Sequence, residues 1–337
     1  MTTSIMTETD SPVQPSAFAT WFSGLVKSLK KNFANSVVYP VVGLLVFLLL
    51  WSFAASNIKT SLGQFPGPSQ VYSAVGSLVD EYNAEKEKAA AFYERQDKRH
   101  AKKREKDPEA KLKFRKYTGK ETFFSQIWTS LKTVAFGFLI ASAIAIPLGI
   151  LCGLSDAFYA AMNPLIQLFK PVSPLAWLPL ITMVVSAVYV SDDPFFEKSF
   201  LNSGLTVALC CLWPTLINTA VGVANIDKDL VNVSRVIKLG KFSHVRKIVW
   251  PASIPMIFTG LRLSLATGWM VLIAAEMLSQ NPGLGKFVWD EFQNGSSNSL
   301  SRIIVAVLVI GIVGFILDRI ILIAQRYFSW DKQAVLR

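Results

Sequence analysis

Long apolar runs alternate with charged stretches along this chain, and the runs set the scale of the fold. Val37 to Ala55 is almost wholly apolar. Five more runs follow, at about Lys132–Cys152, Pro171–Val190, Ser203–Val223, Ile254–Met277 and Ile303–Ile323. Each approaches the roughly 20 apolar residues that a helix needs to cross a bilayer core of about 30 Å. The pattern predicts an all-α, polytopic membrane protein with six transmembrane helices. The first run is too long and lies too far into the chain for a signal peptide, so residues 36–56 read as the first crossing. Pro171, Pro174 and Pro179 predict an irregular third span, which a membrane tolerates only where protein or a water-filled cavity covers the backbone. Gly137, Ser142, Gly149 and Gly153 in the second span allow close helix approach.

The polar stretches divide the chain. Residues 1–20 are rich in Thr, Ser and Pro and read as a tail. In 21–35, Lys27, Lys30 and Lys31 stand among Trp21, Phe22, Leu25 and Leu29 as an amphipathic lead-in, so that 1–35 precedes the first crossing. Within the 57–129 segment, Pro68 and Ser69 open a helix, and residues 83–120 hold 14 basic against 7 acidic residues. Pairs at i,i+4 (Glu94–Lys98, Asp107–Lys111, Glu109–Lys113) favour helix there. Asp107-Pro108 reads as an N-cap followed by Pro at the first helical position. Two charged, solvated helices broken near Asp107 are therefore expected.

The 224–253 loop is also basic, with Lys228, Arg235, Lys238, Lys241, Arg246 and Lys247 against Asp227 and Asp229. Its apolar residues Val233, Val236, Ile237, Phe242, Val245, Ile248 and Val249 recur at helical spacings. Short amphipathic helices follow, including one over 237–248. They would lie in lipid headgroups or in a partner's groove.

Charge then orients the spans. The net charge of +11 in a chain of mean hydropathy +0.39 is membrane-adjacent charge, not a nucleic-acid footprint. By the positive-inside rule the lysine-bearing N-terminus is cytoplasmic. Six crossings then place the 326–337 tail, with Arg326, Lys332 and Arg337, and the 224–253 loop on the same side. The loop holding Asp192, Asp193 and Glu197 falls outside. So does 57–128, whose length frees it from the charge rule.

The candidate chemistry is sparse. Cys152, Cys210 and Cys211 lie in apolar runs without zinc-ligand spacing and read as small buried hydrophobes. His100 and His244 lie in loops, which disfavours a membrane enzyme. A stand-alone carrier would show internal repeats, and none is evident. Gly283-Leu284-Gly285-Lys286 lacks the spacing and the Ser/Thr of a phosphate-binding loop, so no cofactor is expected in this chain, and any ATP and Mg would bind elsewhere. Ionisable residues within spans are costly and face the bundle interior or a pathway. That singles out Arg262, Glu276 and Asp318. Arg262 either attracts an anion or pairs with Asp318, with a slight preference for the substrate role. Glu276 would be structural, capping the Gly283–Gly285 turn. Lys170 either snorkels at the interface or joins the anion pathway.

Several phrases resemble one family. They are Ser130-Leu131-Lys132-x-Val134-x-x-Gly137-Phe138, Pro147-Leu148-Gly149-Ile150-x-x-Gly153, Lys170-Pro171-x-x-Pro174-x-Ala176-x-x-Pro179-Leu180, Thr259-Gly260-Leu261-Arg262-Leu263, Ala275-Glu276-Met277-Leu278, Gly283-Leu284-Gly285 and Gly314-x-x-x-Asp318-Arg319. Their order and spacing over 130–320 are similar to ABC-importer permeases of the nitrate, sulfonate and bicarbonate group, with nitrate permeases as the nearest relatives. The 224–253 loop resembles the cytoplasmic loop of such permeases, which begins Glu-Ala-Ala, has a Gly four residues on and ends at Pro-x-x-x-Pro. Anchored on Pro251 and Pro255, the signature positions fall on Asn232, Val233, Ser234 and Lys238, and all depart from it.

The resemblance implies a type I ABC-importer permease fold (MetI-like core) in the bacterial inner membrane, moving a small anion, nitrate or nitrite before bicarbonate, cyanate or a sulfonate. It implies a second permease copy, two cytoplasmic ATPase subunits and a periplasmic solute-binding protein as partners. It places a five-helix core at 130–325 and ATPase coupling on Ser234, Ile237, Lys238, Gly240, Phe242, Val245 and Pro251.

Overall fold

The computed structural model describes residues 38–60, 63–106, 114–190 and 195–328. The amphipathic lead-in, the Asp107-Pro108 cap with its ion pairs, Asp192, Asp193 and the last nine residues lie outside the described residues. The chain divides into two units, at Pro68 and Ser69.

In the first unit, helix α1 (Tyr39–Asn57) is apolar all round, with Leu44, Leu49 and Phe53 well exposed, as a lipid-facing helix should be. A two-residue antiparallel pair, β1 (Lys59–Thr60) with β2 (Gly63–Gln64), follows it. Trp51 Nε1 donates to the Pro66 carbonyl at 3.1 Å, folding the exit back onto the helix.

The second unit opens with α2 (Pro68–Lys106), a single helix of 39 residues. Its apolar start buries Val71, Ala74 and Leu78, spaced three and four apart, and the charged remainder runs on unbroken. Residues 114–122 then return without regular structure. The expected second charged helix is thus absent among the described residues. Instead the return segment is tied to α2 by Tyr117 Oη, which donates to Glu85 at 2.7 Å, and by Lys120 N, which donates to the same carboxylate at 3.0 Å.

Helices α3 (Phe123–Leu154), α6 (Lys198–Ala224) and α9 (Trp250–Ser279) form the packed centre, with α6 touching both of the others. Small residues make this possible. A Cβ on Gly153 would lie 2.7 Å from the Ala220 carbonyl oxygen and 2.5 Å from Val223 Cβ, so the α3 and α6 backbones meet where only Gly fits. Around α9 stand α10 (Leu284–Asn294) and α11 (Ser297–Phe328). Trp269 Nε1 of α9 donates to the Ile310 carbonyl of α11 at 3.0 Å.

The third span departs from expectation. It is two helices, α4 (Asp156–Phe169) and α5 (Pro174–Val188), bent by 100° at Lys170–Ser173. Pro171 and Pro174 cannot continue α4, and Ser173 Oγ caps the new helix at Leu175 N. Among the described residues five helices are therefore long and apolar enough to cross a membrane, and six if this bent pair is one crossing.

Candidate functional site

The basic segment between α6 and α9 is built in two pieces. Asp227 caps α7 (Lys228–Val236) by accepting from Asp229 N at 2.9 Å. The helix ends because Lys238 adopts φ 50°, while Lys238 N and Leu239 N donate back to the Arg235 and Ser234 carbonyls. The expected single helix over 237–248 is therefore broken at 237–240. That left-handed position is the one the loop resemblance aligns with a Gly, the residue that adopts this conformation without steric cost. After Gly240, α8 (Lys241–His244) runs through a widened turn at Val245–Val249 straight into α9. Pro251 explains the widening, since it has no N–H for the Lys247 carbonyl and its ring would clash there.

The result is one continuous helical run from Lys241 to Ser279. Ser234, 4% exposed, bonds His244 Nδ1 at 2.7 Å and locks α7 to α8. Phe242 and Val236 are about four-fifths exposed at 79% and 80%, Ile237 is exposed, and Val249 is buried against the core. Apolar side chains thus project from a base that is itself packed. The sequence offered His244 only as a loop residue; its partnership depends on the turn between α7 and α8.

The intramembrane charges separate by environment. Arg262 and Asp318 form a forked pair, Nε to Oδ1 at 3.0 Å and Nη2 to Oδ2 at 3.3 Å. Both are partly exposed, and one edge of the guanidinium is already occupied. The structure thus contains the Arg262–Asp318 pair that stood as the alternative to a substrate contact. Glu276 is fully buried, and Ser130 Oγ donates to its carboxylate at 2.8 Å while Gly285 N donates at 3.0 Å. Ser130 in turn accepts from Leu284 N at 2.8 Å, and Asn281 Nδ2 donates to Thr133 Oγ1 at 3.2 Å. A Cβ at Gly283 would strike the Glu276 carboxyl. This knot ties α3 to the α9–α10 turn.

Lys170 sits at the α4–α5 elbow, on a cavity of about 550 Å³. Its other walls include Ser173, Trp177, Trp213, Asn218 and Thr267, from α5, α6 and α9. Lys170 is the charged residue of this lining, and hydroxyl and amide groups share it with aromatic rings. Arg262 is not among the lining residues.

A further cation was missed by sequence reasoning. Arg302, near the start of α11, donates twice to Glu81 of α2, at 2.7 and 2.8 Å. Its Nε lies 2.8 Å from Glu291 of α10, an ion contact, and Ser299 Oγ donates to the same carboxylate. The Arg302 hydrogen bonds hold the Glu81 carboxyl below its ordinary range, so the link is present above about pH 4.5 and lost as pH falls through the lowered value. A charged residue opening an apolar run was the available signal. This anchor and the α7–α8 segment lie at opposite ends of α9.

Comparison with known proteins agrees with this architecture. The model of the family described as binding-protein-dependent transport system inner membrane component matches residues 145–328. The nitrate import permease protein NrtB of Synechocystis sp. is 39% identical over 304 residues, covering 89% of this chain and 94% of that protein. The bicarbonate transport system permease protein CmpB of Synechococcus elongatus is 34% identical over 306 residues, covering 90% and 93%. Among solved structures, an inward-facing MetNI methionine ABC transporter chain superposes with a TM-score of 0.52 at 13% identity, covering 61% of this chain and 96% of its own. That likeness concerns the fold alone. The bent span, the shared helical core and matches running nearly the full length of two relatives lead to one conclusion: this multi-pass membrane chain belongs to the family of binding-protein-dependent transport system inner membrane components, as a permease of the ABC-importer type.

Proposed function

We propose that this chain carries a small inorganic anion into the cytoplasm, nitrate or nitrite first, as the membrane-spanning subunit of an ATP-driven importer. The near full-length similarity to a protein named as a nitrate import permease carries the reading. In it, the chain pairs with a second copy, with two ATPase subunits on the cytoplasmic side and with a periplasmic solute-binding protein. ATP and Mg belong to the ATPases, and this chain catalyses nothing. Lys170 supplies the positive charge of the pathway, and Ser173, Asn218 and Thr267 supply uncharged donors around the anion.

Coupling follows from continuity. Phe242 enters a groove of the ATPase, and its helix runs without interruption into α9, whose Leu263, Thr267, Met270 and Val271 face the cavity. A displacement at the docking end is thus transmitted to the cavity wall through one rigid rod. With α7–α8 in the cytoplasm, the Arg302 anchor and the charged arm face the periplasm. A cysteine placed at the exposed Ala101 should then react with an impermeant thiol reagent added from the periplasmic side; labelling only after the cytoplasm is opened reverses the orientation.

The decisive experiment is ATP-driven uptake of labelled nitrate by the assembled complex in proteoliposomes, with bicarbonate as competitor. Nitrate accumulation unaffected by equal bicarbonate is the expected result. The similarity to a named bicarbonate permease supports a second reading, and bicarbonate uptake without nitrate uptake would establish it. Transport of neither overturns both.

A further inference from the structure

The charged arm contains a cavity unrelated to the pathway just described. It holds about 520 Å³ between α2 and the return segment, lined by Phe92, Arg95, Gln96, Arg99, His100, Lys103 and Arg115. Arg95, Arg99 and Lys103 recur every four residues, so they stand about 6 Å apart along one face of the helix. Arg115 faces them from the return segment. Its position is set by the Gln96 carboxamide, which, oriented to satisfy both groups, donates to the Arg115 carbonyl at 3.1 Å and accepts from its N–H at 2.6 Å.

Four cations meet here, and among the described residues of the lining there is no carboxylate. The contrast with the rest of the arm is instructive. Lys98 is paired with Glu94 at 2.5 Å and Lys88 with Glu85 at 3.3 Å, on other faces of the same helix. Among the described residues, Arg99, Lys103 and Arg115 have no ion pair. Like charges at i,i+4 spacing destabilise a helix, so collecting them on one face is not a neutral way to build a solvated arm. His100 adds a second sign. Its Nδ1 is buried with no hydrogen-bond partner among the described residues, while its ring stands edge-on to Phe114 at 4.6 Å. A buried polar atom without a partner is costly unless something supplies one.

We propose that this pocket binds a multiply charged phosphate-class anion. Guanidinium forks on both walls match phosphate oxygens in pairs. His100 Nδ1 finds its partner in an oxygen of the same group when it carries the proton. A single monovalent anion would neutralise one cation of four and fill little of the volume, which separates this site from the pathway for the transported ion. The phosphate groups could belong to a soluble polyphosphate or to an anionic lipid headgroup, and the chemistry of recognition is the same.

Inorganic pyrophosphate is the probe. The full chain, free of ATPase subunits, is placed in phosphatidylcholine nanodiscs and titrated calorimetrically, beside Arg99→Gln, Arg115→Gln and the control Lys98→Gln. Saturable binding is expected, weakened about 10-fold or more by either arginine substitution and unchanged by the control. Adding cardiolipin, whose headgroup carries two phosphates, distinguishes the sources: competition with pyrophosphate identifies a headgroup, and an unchanged titration identifies a soluble anion. Absence of saturable binding in phosphatidylcholine discs overturns the proposal, as does binding that both arginine variants retain in full.

Discussion

The α3–α6–α9 interior and the α7–α8 segment are both rich in apolar side chains, yet they use them in opposite ways. In the interior, Val134, Val207, Leu216 and Leu272 are essentially buried, and hydroxyls such as Ser264 bond across to the neighbouring helix at Cys211. In α7–α8, Phe242, Val236 and Ile237 stand in the open while the polar pair Ser234–His244 is turned inward. The first arrangement completes itself within one chain. The second buries its polar link and exposes its apolar groups, the reverse of what stability alone would select, and so it is organised for contact with another molecule.

The largest effect is expected where the interior has no slack. Gly153→Leu would drive a side chain into the Ala220 carbonyl and Val223, and overpacking of this kind costs about 1–3 kcal/mol or more. The amount of folded, detergent-stable protein should fall several-fold, measured by fluorescence size-exclusion chromatography. Wild-type yield and melting temperature would mean that α3 and α6 do not touch there.

The exposed region should respond differently. Phe242→Asp ought to leave folding of the isolated chain unchanged, because the side chain packs on little within it. Co-purification with the ATPase subunits should nevertheless drop by about 10-fold or more, the loss typical of an apolar anchor at an interface. Normal assembly together with normal transport would remove Phe242 from the docking surface and erase the contrast between the two regions.

A smaller effect is expected at the Arg262–Asp318 pair, which joins α9 to α11. Arg262→Ala leaves Asp318 without its partner, but partial exposure reduces the penalty to about 1–2 kcal/mol. Melting temperature should fall modestly and recover when Asp318→Ala is added. Recovery with normal uptake makes the pair structural; a double variant that assembles but does not transport would return Arg262 to the pathway.

The smallest change tests the turn itself. Lys238→Gly removes the cost of a left-handed non-glycine residue, about 1 kcal/mol, and should raise the melting temperature slightly without altering ATPase binding. A fall in stability would mean that Lys238 makes a contact that outweighs its backbone strain.

Much of the fold is legible in the residues alone. Runs of about 20 apolar residues determine that helices cross a bilayer, because lipid offers no partner to an unpaired backbone group. Phrase order along 130–320 points to the family, and the prolines at 171 and 174 announce an irregular span. What they cannot announce is a 100° elbow, since a proline states only that a helix stops, not the direction in which the chain leaves.

The sites divide in the same way. That Arg262, Glu276 and Asp318 matter follows from the cost of charge in a membrane. Their roles are tertiary: Glu276 meets Ser130, 146 positions away in sequence, and Arg262 meets Asp318 across 56. Local pattern sets element type because propensity and periodicity act within a few residues. Which charge is paired, which apolar face stays open and which cations share a pocket depend on segments brought together only when the helices pack.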